Sequence, residues 1–172
     1  CKGEYNMDTV FFDMDGTLID TEKYYNVCWC EAIAKFGYTI TKEEALDLRS
    51  LGRPHVYRFF EEKYGKGFPY DEMRAYRKKI MEEMLKRDGI TVKPGAKEIL
   101  LWLKSRQIRC MIATATDLER TNRYLEMAGL SSYFDELISA VMVKNGKPSP
   151  DIYQLACEKA GRIPSDCIAI ED

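Results

Sequence analysis

Short apolar runs alternate with longer stretches of helical periodicity along most of this chain. Four runs, at 10–12, 108–113, 137–138 and 167–170, have the length and residue types of buried strands. Between several of them, apolar residues recur at steps of three and four, as on the inner face of an amphipathic helix. Strands that alternate with helices predict a parallel sheet of the α/β class.

Helix boundaries are marked by capping residues in the second half of the chain. The apolar period over 96–105 predicts a helix before the second strand. Asp117 suits the N-cap of a helix that runs to Ala128, where Gly129 stops it. A further helix is predicted from Ile152 to about Ala160.

The stretch 21–91 carries helical signals and no strand signal. It contains an apolar stripe after Asp20, a capping-box pattern at 41–44, and two further periodic segments. This predicts a helical insertion between the first strand and the rest of the sheet. The domain boundaries expected are therefore 1–20 with 92–172 for the α/β core, and 21–91 for the helical part.

Composition narrows the classes of protein that this chain can represent. With 172 residues, 45% hydrophobic content and a net charge of −2, it can build one core and lacks the basic surplus of nucleic-acid binders. Its apolar runs are far shorter than a membrane span, and six scattered cysteines without a metal spacing suggest buried thiols. We expect a cytoplasmic monomer that binds neither nucleic acid nor membrane.

Two carboxylates, Asp13 and Asp15, follow the first apolar run directly. Ligands of open parallel sheets bind beyond the carboxyl ends of the strands, and residues i and i+2 of an extended segment share a face. Two neighbouring carboxylates repel each other unless a cation or a proton lies between them. The pattern therefore predicts a divalent metal, and oxygen ligands favour Mg²⁺.

Further polar residues stand at the ends of the later predicted strands or in the adjoining loops. They are Thr114 after the second strand, Lys147 in the loop before the last helix, and Glu171 and Asp172 after the fourth strand. If the strands are parallel, these groups gather with Asp13 and Asp15 at one edge of the sheet.

The motifs resemble those of the haloacid dehalogenase (HAD) superfamily. Residues 13–18 match Asp-x-Asp-Gly-Thr-Leu, residues 146–153 match Gly-Lys-Pro-x-Pro-Asp-Ile-Tyr, and the order of all four motifs agrees. The resemblance implies a Rossmann-like core in which Asp13 attacks phosphorus and Asp15 is the general acid and base. It also implies the remaining roles: Thr114 and the Ala115 amide bind phosphate, Lys147 neutralises charge, and Asp13, the Asp15 carbonyl, Asp172 and Glu171 hold Mg²⁺.

The helical insertion resembles the small α-helical cap of the β-phosphoglucomutase-like branch of that superfamily. By this resemblance, Leu51-Gly52-Arg53 is the specificity loop, and Arg53 contacts the substrate. Mutases of the branch usually carry a histidine five residues beyond the position of Asp20, where this chain has Tyr25. That difference favours a phosphatase, which needs only water as the acceptor.

These features predict a Mg²⁺-dependent phosphatase that hydrolyses a small phosphorylated metabolite through an aspartyl phosphate. The substrate expected is a sugar or nucleotide-type monophosphate. One alternative is a hexose-phosphate mutase of the same branch. Another is a non-catalytic HAD-like module for binding or signalling. Response-regulator receivers also combine acidic residues, Thr and Lys around Mg²⁺, but they lack a helical insertion after the first strand.

The acidic pair Glu171-Asp172 ends the sequence. Members of the superfamily continue past this pair with a Ser-x-x-Gly loop, a helix and another strand. We therefore expect the C-terminal end of the core to be missing, and the activity of this form to be lower than that of a longer one.

Overall fold

The computed structural model describes residues 7–50 and 53–172 of the chain. In order, the elements are β1 (Thr9–Phe12), α1 (Glu22–Lys35), α2 (Lys42–Ser50), α3 (Arg53–Tyr64), α4 (Tyr70–Asp88), α5 (Ala96–Ser105), β2 (Arg109–Thr114), α6 (Leu118–Ala128), β3 (Glu136–Ser139), α7 (Asp151–Ala160) and β4 (Cys167–Ile170). They fall into two compact units. The core unit holds β1 and everything from Ile90 onwards, and the helical unit, Thr21–Gly89, holds α1 to α4.

The core unit is built on a parallel four-stranded sheet with the order β3-β2-β1-β4. Phe12 at the end of β1 pairs with Ile112 of β2 on one side and with Ile170 of β4 on the other. The predicted parallel α/β fold is therefore confirmed. The carboxyl ends of β1, β2 and β4 lie at the same edge of the sheet.

The central strands are apolar because helices and loops cover both of their faces. All four residues of β1 are buried, and so are the last five of β2. On one face, Phe11 and Met111 pack with Ile152 of α7. Burial on both faces explains why these strands appear in the sequence as continuous apolar runs.

Local capping sets the ends of α6. The Asp117 side chain accepts a hydrogen bond from the Arg120 amide at 3.0 Å, which satisfies an N-terminal donor of the helix. Gly129 ends α6 with a φ of 66°, in the left-handed region that glycine adopts most easily. The helix limits predicted from these two residues are confirmed.

The helical unit has a core of its own, in which aromatic rings predominate. Trp29 of α1 lies 5.5 Å from the ring of Phe60, and Phe60 stacks on Phe68 at 4.6 Å. The predicted capping box is present at the start of α2, where Thr41 and Glu44 exchange hydrogen bonds between side chain and backbone. The function of this unit as a cap stays a prediction.

Three cysteines agree with the expectation of buried thiols. Cys28, Cys110 and Cys157 are buried and unbridged, and burial raises the pKa of the Cys28 and Cys110 thiols to about 11. Such thiols are poor nucleophiles at neutral pH.

Across residues 7–50 and 53–172, no helix has the length and apolarity that a membrane crossing requires.

Candidate active site

Asp13 follows β1 and is held beside the end of β4. Its backbone amide donates a hydrogen bond to the Ile170 carbonyl at 2.9 Å, which extends the β1–β4 ladder by one step. Glu171 and Asp172 come next on the β4 side. Strand pairing therefore brings three carboxylates together from opposite ends of the sequence.

Lys147 lies between two of these carboxylates. Its Nζ is 2.6 Å from Asp13 Oδ1 and 2.8 Å from Glu171 Oε1. Asp13 is only 7% exposed, so its contact with the ammonium group is largely shielded from water. The loop that carries Lys147 thus supplies a fixed positive charge to the acidic edge of the sheet.

The Asp13 carboxyl has a raised pKa in spite of this contact. The pKa of Asp13 is raised to about 6 as the net result of opposing effects: burial raises it most, the hydrogen bond and charge of Lys147 lower it, and the charges of Glu171 and Asp15 contribute to the rise. One lysine therefore does not offset the whole cost of ionising Asp13 here. A further cation would stabilise the charged form.

Oxygen atoms of Asp13, Glu171 and Asp172 are arranged so that one ion could contact all three. One carboxylate oxygen of each residue lies within 4.8 Å of the others. An all-oxygen, strongly anionic set suits Mg²⁺ by its chemistry. The Asp15 side chain is not part of this group. This does not conflict with the sequence prediction, in which the metal ligand from Asp15 is its backbone carbonyl.

Asp15 lies in a tight turn that begins directly after Asp13. The amide of Gly16, which has a φ of 87°, donates to the Ile19 carbonyl at 2.9 Å. The turn brings the Asp15 side chain next to the segment that follows β2. There, Thr116 Oγ1 donates a hydrogen bond to Asp15 Oδ2 at 2.8 Å.

Thr114 ends β2 and is buried, while Ala115 beside it is exposed. Thr114 Oγ1 accepts a hydrogen bond from the Thr116 amide at 3.1 Å. Because a hydroxyl can accept and donate at once, this bond leaves the Thr114 hydroxyl hydrogen for another acceptor.

Tyr153 is a neighbour of the site that the sequence reasoning passed over. Its hydroxyl donates a hydrogen bond to Glu171, and its ring centroid is 5.5 Å from Lys147 Nζ. The ring stacks on Phe11 of β1, with the centroids 6.3 Å apart. The sequence signal for Tyr153 is its position at the end of the 146–153 motif.

Arg53, the predicted substrate contact, begins α3. Its side chain, together with residues Leu51 and Gly52, lies outside what the structure describes. Its role therefore stays a prediction.

A family model for haloacid dehalogenase-like hydrolases matches residues 7–172. The chain belongs to this family. The family resemblance read from the motifs is thereby confirmed, and this HAD-like hydrolase is an enzyme by family.

Named relatives of this HAD-like hydrolase include a phosphorylated carbohydrates phosphatase of Thermotoga maritima. The two are 31% identical over 176 residues, which cover 96% of this chain and 76% of that protein. The crystal structure of CbbY from Rhodobacter sphaeroides in complex with phosphate matches with a TM-score of 0.80 at 26% identity, over 96% of this chain and 78% of that one. A proposed beta-phosphoglucomutase of Thermotoga maritima matches with a TM-score of 0.76 at 26% identity, over 96% and 76%.

Proposed function

We propose that this HAD-like hydrolase is a Mg²⁺-dependent phosphatase of small phosphorylated metabolites, sugar or nucleotide-type monophosphates, acting through an aspartyl phosphate. The observation that carries the proposal is the contact of Lys147 with Asp13 among three clustered carboxylates. A phosphoryl group has to meet a carboxylate nucleophile without prohibitive repulsion, and this arrangement supplies both the nucleophile and the positive charge.

Asp13 is the proposed nucleophile. A carboxylate oxygen forms a bond to phosphorus while the bond from phosphorus to the ester oxygen breaks. Asp15 gives its proton to the departing oxygen, so that an alcohol leaves rather than an alkoxide. Asp15 then takes a proton from water as that water attacks phosphorus, the bond to Asp13 breaks, and inorganic phosphate leaves.

Thr114, Ala115 and Lys147 are the proposed phosphate-binding groups. The Thr114 hydroxyl already accepts the Thr116 amide, so its hydrogen can be donated to a phosphate oxygen. The ammonium group of Lys147, which donates a hydrogen bond to Asp13, is a point positive charge beside that carboxylate. Together they orient the phosphoryl group over Asp13.

Mg²⁺ would be held by Asp13, Asp172 and the Asp15 carbonyl, with Glu171 in support. Glu171 forms an ion pair with Lys147 and accepts a hydrogen bond from the Tyr153 hydroxyl. It is therefore better suited to orient the other metal-binding residues than to be a principal metal ligand itself. When bound, the ion offsets the negative charge shared by the carboxylates and the phosphoryl group.

The helical unit is proposed to select the substrate, with Arg53 as a contact. Support comes from the place of this unit in the chain, between β1 and β2, and from the likeness of its sequence to the cap of the β-phosphoglucomutase-like branch. A guanidinium at Arg53 suits an anionic or hydroxyl-bearing substrate.

A hexose-phosphate mutase is the second candidate, because a proposed beta-phosphoglucomutase is among the matching structures. Tyr25 stands where mutases usually carry a histidine, which favours the phosphatase. Isomerised sugar and a bisphosphorylated intermediate, with little free phosphate, would support the mutase instead.

The test is phosphate release from a panel of sugar phosphates and nucleotides by the purified chain, with Mg²⁺ and with EDTA. We expect release that depends on Mg²⁺ and that Asp13→Asn removes. A wild-type chain that releases no phosphate from any ester with Mg²⁺ would contradict the proposal.

A further inference from the structure

We infer that Thr116 is a positioning residue, which holds the Asp15 carboxyl in the orientation required for proton transfer to the leaving group. The inference rests on the proposed phosphatase function. Its central observation is the hydrogen bond from Thr116 Oγ1 to Asp15 Oδ2, 2.8 Å long, between residues 101 positions apart in the chain.

Thr116 is itself held from two directions. Its amide donates to Thr114 Oγ1 at 3.1 Å, which ties it to the end of β2. Its carbonyl accepts a hydrogen bond from Ser139 Oγ at 2.6 Å, and Ser139, at the end of β3, is fully buried. A buried hydroxyl with this bond made is costly to displace, so the backbone at Thr116 is firmly located.

The hydroxyl of Thr121 adds a further contact to the same carbonyl. Thr121 Oγ1 lies 3.4 Å from the Thr116 carbonyl oxygen and 2.8 Å from that of Asp117, which caps α6. The start of α6 is thereby attached to the segment that reaches Asp15.

This arrangement matters because Asp15 stands in a turn and not in a strand. A carboxyl in a turn samples several rotamers, whereas a general acid has to lie within hydrogen-bond reach of one oxygen. A donor on Oδ2 restrains the rotation of the Asp15 side chain and so limits the directions in which its carboxyl group can deliver a proton. Small misplacements of such a group cost large factors in rate.

The test compares two esters whose leaving groups differ in their need for a proton. In a sugar phosphate that the wild type hydrolyses, the leaving oxygen is strongly basic and must be protonated by the general acid as it departs, whereas p-nitrophenyl phosphate expels a weakly basic phenolate and needs no such proton. The quantity compared is kcat/KM, since it covers the steps up to departure of the alcohol and omits the later attack by water. Thr116→Val removes the hydroxyl and keeps the shape, and Thr116→Ser is the matched control that keeps the hydroxyl.

For Thr116→Val, we expect kcat/KM on the sugar phosphate to fall by about 10- to 100-fold, which is part of the roughly 10²- to 10⁴-fold that general acid catalysis typically contributes. On p-nitrophenyl phosphate it should fall by less than about threefold, and Thr116→Ser should stay near wild type on both esters. Ser139→Ala, which removes the hydrogen bond to the Thr116 carbonyl, should likewise reduce kcat/KM more on the sugar phosphate than on p-nitrophenyl phosphate, with a smaller loss than Thr116→Val.

Equal losses on the two esters would overturn the inference, because a general disturbance of the site does not distinguish leaving groups. Unchanged kcat/KM on the sugar phosphate would overturn it as well. If Thr116→Val does not fold, Ser139→Ala decides the question by the same criterion. A wild-type chain inactive on both esters with Mg²⁺ would instead remove the proposed function, and the inference with it.

Discussion

Lys147 Nζ and Asp13 Oδ1 are 2.6 Å apart, although 134 positions separate the two residues in the chain. Asp13 is delivered by the end of β1, and Lys147 by the loop that leads into α7. The same ammonium group also contacts Glu171 at 2.8 Å. One lysine therefore links the proposed nucleophile to the proposed metal-binding residues.

Asp13→Asn should reduce phosphate release by at least about a thousandfold, because the amide cannot form the acyl phosphate. The replacement is close in shape and uncharged, so we expect the fold to remain intact. Phosphate release with Mg²⁺ and circular dichroism during thermal unfolding provide the two measurements. Turnover that survives in Asp13→Asn would exclude Asp13 as the nucleophile.

Lys147→Met should lower kcat by about a hundredfold or more, because a phosphate contact and the counter-charge of Asp13 are lost together. The buried Asp13 carboxylate is then left without its partner, which should cost about 2 kcal/mol of unfolding free energy at pH 7 in EDTA. Urea unfolding measures this cost. The double variant with Asp13→Asn should recover most of the lost stability, and a loss that persists there would mean that packing and not charge is responsible.

The stability of the metal-free protein should fall as the pH rises from about 4 to about 6. The pKa of Asp13 is raised to about 6 from an ordinary value of 3.8, so the unfolded chain releases this proton at lower pH than the folded one. Folding is then favoured while the group is protonated, and that advantage is lost through the folded pKa, by up to about 3 kcal/mol. Urea unfolding in EDTA at several pH values, compared with Asp13→Asn, isolates this contribution; parallel curves for the two proteins would contradict it.

Tyr153→Phe should weaken activation by Mg²⁺ and leave the fold unchanged. The phenylalanine ring keeps the stacking on Phe11 and the face near Lys147, but the hydrogen bond to Glu171 is lost. Losing a group that orients a metal-supporting carboxylate typically costs about tenfold or more in affinity. The Mg²⁺ concentration for half-maximal activity measures the effect. Tyr133→Phe, in the short segment between α6 and β3, is the control. An equal shift in both variants would deny Tyr153 this role.

Arg53→Ala should raise KM for the best sugar or nucleotide substrate by about tenfold and change KM for p-nitrophenyl phosphate little. The expectation follows from a proposed contact with substrate groups beyond the phosphate. Arg58→Ala, on the same helix, serves as the comparison variant. A loss of kcat for every ester alike would place Arg53 in the chemistry or the fold, not in substrate selection.

Patterns in the sequence are enough to identify the segments that form the sheet and the ends of many helices. The ends of α6 are set locally, by an aspartate that caps the helix and a glycine with positive φ. The strands β1 and β2 are buried on both faces, and this burial leaves a continuous apolar run in the sequence. The site residues can also be predicted from the sequence, because they follow directly after strands or lie in a loop motif. The family they indicated is confirmed by the model that matches 7–172.

The contacts between polar groups, in contrast, follow from the packing of the folded chain. In the sequence, Thr116, Ser139 and Tyr153 are ordinary residues of loops, strands and helices. Only the order β3-β2-β1-β4 and its parallel register bring Thr116 to Asp15, Ser139 to Thr116, and Tyr153 to Glu171. The hydrogen-bond partner of a hydroxyl cannot be predicted from the sequence when it lies many residues away. A hydrogen bond requires the two atoms to be about 3 Å apart, and only the long-range pairing of the strands brings them that close.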